Sequence, residues 1–291
     1  MGTAVGAEQT ASRPDENREL TVRRGASAWI LIQRNLRRLG LVLGLLGAGV
    51  VFLNIRTAGG PGLDLSAYLN ASMANTYRVD VGSRDAFVYA PPFLQAMYPI
   101  QHVPVDVARM VWLVLNLTAL IILAGPWTLV ALLAMPVVVE LAVGNIHLLL
   151  ALAMVVGFRY PQTWAFVLLT KPTAGVGLLW FAVRREWRSL ALVLSTTTAI
   201  AAVSFLVAPA LWFAWAQLLV GNASHIPGDA LLRVPLPVRV AVAAVVVVVG
   251  ARRNHKWVVP VAGLIALPVI WVGSLALLVA TIPLLRRGTS P

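Results

Sequence analysis

Apolar residues run along this chain in long blocks separated by short polar, glycine or proline-containing breaks: 39–55, 91–103, 104–124, 126–143, 146–158, 162–182, 189–208 and 236–251, then a proline-interrupted pair closing at Arg286 and Arg287. Many of these approach the ~20 residues that carry a helix across a bilayer. Lipid offers no hydrogen-bond partners, so spanning segments are helices or closed barrels. No run alternates apolar and polar residues as the ten-residue strands of a barrel do. The pattern therefore predicts an all-α, polytopic membrane protein with about ten spans, eight to ten allowing for the short segments. A polar tail over 1–28, rich in small residues, is expected to be disordered and is followed by a single membrane domain over 29–291.

Two polar interruptions stand out, 57–90 and 209–235. In the first, Leu65, Tyr68, Leu69 and Met73 recur at helical spacing and predict a short helix lying on the membrane surface. Asp64 stands at its start, where a carboxylate makes a good N-cap. In the second, Trp212, Trp215 and Leu219 predict another interfacial helix. Basic clusters at 34–38, 184–188, 252–256 and 286–287 fall on one face if the span count is even, with Arg159 as the exception. By the excess of positive charge in cytoplasmic loops, that face and the N-terminus are cytoplasmic and both large loops are extracytoplasmic.

Composition agrees: 59% of residues are apolar, 12% are charged, and mean hydropathy is +0.82. Soluble domains carry about 25% charged residues. The net charge of +12 lies in short clusters between apolar blocks, which sets orientation and gives no reason to expect nucleic acid. There is no cysteine, so disulfides are excluded.

The candidate chemistry is sparse. Asp64 is one of eleven carboxylates and lies in the loop after the first span, where it can deprotonate an incoming hydroxyl. Glu140, His147 and Lys171 are ionisable groups inside apolar blocks, where a charge needs a partner or a wet cavity. The plain reading is a Glu140–Lys171 ion pair; the other is a pocket for an anionic head group. Arg78, Arg84 and Arg233 in the outer loops can bind phosphate in bidentate fashion. No His/Cys/Asp set has metal-ligand spacing, and no glycine-rich nucleotide loop follows a strand.

The sequence D64-L-S-A-Y68, the motif FVYAPPF over 87–93, MYP at 97–99, GNIHLLLAL at 144–152, TKPTAG at 170–175 and the basic turn RREWR at 184–188 occur in an order that resembles glycosyltransferase family 87. The resemblance covers roughly 57–220, more loosely to 286. In two places the chain departs from the family pattern: Ala90 separates Tyr89 from the two prolines, and Val272–Gly273 follow Trp271 where a histidine is usual. The resemblance implies a GT-C-type membrane enzyme that moves a hexose, mannose in the family, from a polyprenyl-phosphate sugar to a lipid or glycan hydroxyl. It implies inversion at the anomeric carbon, no cofactor and no metal. Asp64 would be the base, Lys171 with Arg78, Arg84 or Arg233 would meet the phosphate, and Tyr68, Tyr89, Glu140, Asn145, His147 and Trp271 would line the pocket. The competing expectations are a transporter or lipid flippase using Glu140, His147 and Lys171 as a relay, and a divergent non-catalytic membrane subunit.

Overall fold

The computed structural model describes residues 62–74, 76–78, 86–222 and 231–286, together with Asn35. The expected tail, the first span at 39–55, Arg84, and most of the second loop's polar part lie outside the described residues. Every regular element among those residues is helical.

The chain runs through α1 (Leu63–Asn70), α2 (Pro91–Gln101), α3 (Val105–Ala124), α4 (Thr128–Leu133), α5 (Met135–Val143) and α6 (His147–Val156). It continues through α7 (Trp164–Thr170), α8 (Leu179–Val183), α9 (Trp187–Val207), α10 (Pro209–Gly221), α11 (Leu236–Arg252), α12 (Val258–Ile265) and α13 (Thr281–Arg286). Short 3₁₀ segments join several of these, the longest being Pro172–Leu178 and Gly273–Ala280.

Proline and glycine decide where the apolar blocks break. Gly125, at φ 55°, and Pro126 end α3, and Pro136 and Pro209 stand in the first turns of α5 and α10. Gly144 ends α5 in the left-handed region, at φ 75°, which an L side chain adopts only with strain. The chain then turns by 108° into α6.

Two stretches, Val105–Leu133 and Trp187–Val207, are long and apolar enough to cross a bilayer, with a third if the bent pair α5–α6 counts as one. Ten crossings are thus not seen among the described residues. The block 162–182 shows why. A β-carbon on Gly177 would sit 2.4 Å from the Trp164 ring, and one on Gly175 would sit 2.4 Å from Leu168. The two limbs therefore lie side by side and antiparallel, and the chain doubles back at Lys171–Pro172. Pro172 lacks the N–H that would continue α7, and small residues on the return limb admit the close approach. An apparent single span is a hairpin with Lys171 at its tip.

That hairpin also accounts for Arg159. Phe158 packs against Trp180 and Phe181, with ring centroids 5.5 and 6.2 Å apart. Lys256 Nζ lies 5.3 Å from the centre of the Phe158 ring, and Arg184 Nη1 donates to the carbonyl of Ala251 at 3.3 Å. The turn at Arg159 thus joins the 184–188 and 252–256 turns at one end of the molecule and is no exception.

The core is centred on α6, whose Leu148, Leu150, Ala151 and Met154 are fully buried. In α9, by contrast, only Val193 and Ser204 are buried, leaving an apolar surface suited to lipid. The expected surface helix is also different: α1 buries Leu65, Ala67 and Tyr68 against its neighbours, while Met73 lies beyond its end and is exposed. α10 appears where the interfacial helix was expected and is tied down at both tryptophans. Trp212 Nε1 donates to Ser204 Oγ at 3.1 Å and Trp215 Nε1 to the carbonyl of Val88 at 3.1 Å.

Candidate functional site

Gly62, not Asp64, is the N-cap of α1. A β-carbon on Gly62 would stand 2.3 Å from the carbonyl oxygens of Ala142 and Val143, so only glycine lets α1 begin against the end of α5. Asp64 is thereby moved into the first helical turn, beside the α5–α6 elbow, and makes no capping bond. Its Oδ2 accepts a hydrogen bond from Asn145 Nδ2 at 2.8 Å instead.

Asn145 is held in turn. Its Oδ1 accepts the Ile146 backbone N–H at 2.7 Å and faces the hydroxyls of Tyr68 and Tyr89 at 3.4 and 3.3 Å. The two hydroxyls lie 2.9 Å apart. Donors gathered around Oδ1 fix which way the amide points, and so aim Nδ2 at the carboxylate. Trp112 Nε1 donates to the Gly144 carbonyl at 2.7 Å and steadies the elbow, while Tyr77 OH donates to the Tyr89 carbonyl at 2.7 Å. Tyr68 meets Phe87, Tyr89, Phe93 and Trp112 edge-on, with centroids 5.4 to 6.4 Å apart. Such pairs add ~0.5–1.5 kcal/mol each beyond area burial.

The electrostatics of Asp64 follow from this setting. Burial pushes its carboxyl above the ordinary value; the Lys171 charge, then the Asn145 hydrogen bond, oppose that rise, and Glu140 adds to it. The base is therefore stronger than an ordinary aspartate. Tyr68 is pushed well up by burial, then by Tyr89 and Asp64, and stays a protonated donor.

Lys171 ends α7 at the hairpin tip. Its Nζ lies 4.8 Å from the centre of the Tyr89 ring, on the face of a residue that belongs to the Asp64–Asn145 network. The expected Glu140–Lys171 ion pair is absent: among the described residues no carboxylate lies within 4.0 Å of Lys171 Nζ. Glu140 turns to His147 instead, because both flank the elbow. Its Oε1 accepts the His147 backbone N–H at 2.6 Å, and Oε2 lies 3.0 Å from Nδ1.

Asp64, Tyr68, Tyr89, Asn145 and Lys171 are thus brought together, with Glu140 and His147 immediately behind them. Arg78 and Arg233 are exposed. Trp271 is half-buried, its backbone N–H bonded to Ser274 Oγ at 3.2 Å; the neighbouring Gly273 packs against Glu140, where an added β-carbon would lie 3.1 Å from Oε2. Among the described residues no three His, Asp or Glu side chains converge as metal ligands would.

Sequence reasoning missed Arg239. It is buried on α11 and donates to the carbonyls of Val234, Leu267 and Pro268 at 2.9, 2.6 and 2.6 Å, tying the turn before Trp271 to α11. An arginine inside the apolar run LPVRVAV was the available signal. Gln101 was missed too; its Nε2 donates to the carbonyls of Tyr68 and Ala71 at 2.8 and 2.9 Å and closes the end of α1.

Comparison with curated proteins and with solved structures finds no match. The model of glycosyltransferase family 87 matches residues 87–291, which include Tyr89, Glu140, Asn145, His147 and Lys171 but not Asp64 or α1. With well over half of its length matched, this all-helical membrane protein belongs to glycosyltransferase family 87.

Proposed function

We propose that the chain transfers a hexose, mannose in the first instance, from a polyprenyl-phosphate sugar to a hydroxyl of a lipid or glycan. The reaction is a single displacement. The acceptor hydroxyl gives its proton to the Asp64 carboxylate as its oxygen bonds to the anomeric carbon. The bond from that carbon to the phosphate oxygen breaks with inversion, and the lipid phosphate leaves with the electron pair. Asp64 has the placement and the raised basicity for the first task. Lys171 stabilises the charge developing on the phosphate. The observation that carries this reading is an ammonium resting on the Tyr89 ring, beside the network in which the Asn145 amide holds the Asp64 carboxylate.

The lipid chain of the donor has a path along α2. An apolar groove of about 350 Å³ between α2 and α9 is lined by Pro92, Gln95, Ala199, Ile200, Val203 and Ser204. Its wall Pro92 adjoins Phe93, which packs on Tyr89 at 4.9 Å between centroids. Transfer takes place on the extracytoplasmic side of the cell membrane, with a GT-C-like arrangement and a cytoplasmic N-terminus. In support, the turns at Arg159, Arg184 and Lys256 cluster at one end, and the site lies at the tips of the elbow and the hairpin. Incubating purified protein with polyprenyl-phosphate mannose and candidate acceptors tests the proposal. Release of polyprenyl phosphate that depends on the acceptor, and is abolished in Asp64→Asn, is the expected result; donor left intact with every acceptor class would overturn it.

A further inference from the structure

Glu140 and His147 take no part in the transfer step, yet they form a deeply buried acid–base pair, 1% and 2% exposed. Burying a carboxylate is costly unless its oxygens are satisfied, and here both are. Oε1 takes the first backbone N–H of α6, and Oε2 takes Nδ1–H of the ring. The backbone carbonyl of the same Glu140 accepts Gly144 N–H at 2.9 Å. One residue therefore bonds to both ends of the elbow Gly144–Asn145–Ile146. The Asn145 amide that holds Asp64 stands between those bonds, in a turn of 108° that no helical hydrogen bond spans.

We infer that Glu140 is a positioning residue for the Asp64 base: through His147 it braces the elbow that aims the Asn145 amide at the carboxylate. The inference rests on the reading of Asp64 as the base. It departs from both expectations for Glu140, a counter-ion for Lys171 and a member of a proton relay. Lys171 is out of ion-pair range, and both carboxylate oxygens are committed to His147.

Glu140 acts on Asp64 in two opposed ways, which makes the brace separable from the charge. Among the described residues, the charged and titratable groups that act on Asp64 or on its neighbouring tyrosines are Lys171 on the hairpin, Glu140 on α5, His147 on α6, Tyr68 on α1 and Tyr89 ahead of α2. Negative charge on Glu140 raises the Asp64 carboxyl, whereas the Asn145 hydrogen bond lowers it and is the larger influence. Glu140→Ala removes charge and brace together. Glu140→Gln removes the charge alone, since its amide oxygen can accept the His147 N–H and its amino group can donate to Nδ1 once the ring proton moves to Nε2.

The test is the pH dependence of transfer by the full chain, with polyprenyl-phosphate mannose as donor, in wild type, Glu140→Ala, Glu140→Gln and Asp64→Asn. Glu140→Ala is expected to lower kcat at least tenfold, within the ~10²-fold that a misplaced group costs, with donor KM little changed. Its acid limb should move to higher pH. Glu140→Gln should recover most of kcat and move the limb to lower pH. Equal loss in both variants, or full activity in Glu140→Ala, overturns the brace. If Glu140→Ala does not fold, Glu140→Asp decides, since it keeps the charge but is one methylene short of the two His147 contacts: a lower kcat with the limb at higher pH is expected, and wild-type values overturn the brace. A wild-type rate in Asp64→Asn sinks the base reading itself, whatever the Glu140 variants do.

Discussion

Replacing Asp64 by Asn exchanges one carboxylate oxygen for an amino group and leaves the other to accept the Asn145 hydrogen bond, now 2.8 Å long. Two magnitudes follow. A hydrogen bond to a charged group contributes ~1.5–3 kcal/mol and a neutral one ~0.5–1.5, so weakening this one costs about 1 kcal/mol. Against that stands the burial that holds the Asp64 carboxyl above its ordinary value. A raised carboxyl contributes stability that is fully present below the unfolded value of about 3.9 and lost as pH rises through the folded value. At neutral pH the wild type has lost it, and the neutral amide has not. Asp64→Asn should therefore match or slightly exceed wild type in thermal stability at pH 7. Since Gly62 is the N-cap, no capping bond is lost either. Catalysis moves the other way, because general-base assistance contributes ~10²–10⁴-fold. The expected outcome is a well-folded protein with normal donor binding and transfer reduced at least a hundredfold, measured as acceptor-dependent release of polyprenyl phosphate. Asp80→Asn and Asp85→Asn are matched controls and should keep most activity. Near wild-type transfer in Asp64→Asn would refute the assignment, and a collapse of stability without loss of specific rate would show that the carboxylate is structural.

Four further outcomes are expected. In wild type, the acid limb of the pH–rate profile should fall at a pH above the ordinary aspartate range of about 3.9 and should disappear in Asp64→Asn, read from kcat/KM across buffers. Lys171→Met should keep the fold and raise the donor Kd or KM, since it removes the ammonium on the Tyr89 ring and, among the described residues, breaks no ion pair; unchanged donor affinity would remove it from the phosphate site. Arg239→Met strands three carbonyls and should lower stability by about 3 kcal/mol or more, seen as a fall in Tm, while Arg239→Lys should recover only part because an ammonium cannot match the planar fork. Cysteines placed at Ser83 and Ser224 should react with an impermeant thiol reagent in intact cells, whereas one at Gln162, in the turn after Arg159, should not; labelling at Gln162 would dismantle the hairpin topology.

What the sequence made legible, and what it did not, divides along physical lines. Apolar block lengths and charge placement were enough for an all-helical membrane chain, since lipid leaves the backbone few choices. The ordered motifs pointed to the family and to Asp64, Tyr68, Tyr89, Asn145 and Lys171, which the structure gathers into one network. Partner choice was not legible. Glu140 and Lys171 are the obvious opposite charges in a hydropathy trace, but Glu140 flanks the elbow within reach of His147, and three-dimensional proximity decided the pairing. The role of Asp64 at its helix start shifted by two residues for a similar reason: the cap position is set by how closely α1 must approach α5, a contact between distant parts of the chain.

Ten crossings are not seen among the described residues, and the cause has the same origin as the site. Block 162–182 has the length and hydropathy of a membrane crossing, and nothing in its average composition distinguishes a crossing from a hairpin. The distinction lies in Lys171–Pro172 and in the small residues that let the return limb touch Trp164 and Leu168. Where a helix stops inside an apolar layer, its last carbonyls and the next helix's first N–H groups lose their internal partners. Asn145 lies at such a break, flanked by the Gly144 carbonyl that Trp112 binds and the His147 N–H that Glu140 binds. Lys171 lies at another, with Pro172 supplying no N–H to satisfy. Polar side chains at these positions are tolerated because the backbone beside them is already polar. In this fold, then, an interrupted hydropathy block marks a candidate functional position more directly than a charged residue does. Lys171 and Asn145 both stand at such breaks, whereas Arg239 sits in an unbroken helix and serves the framework.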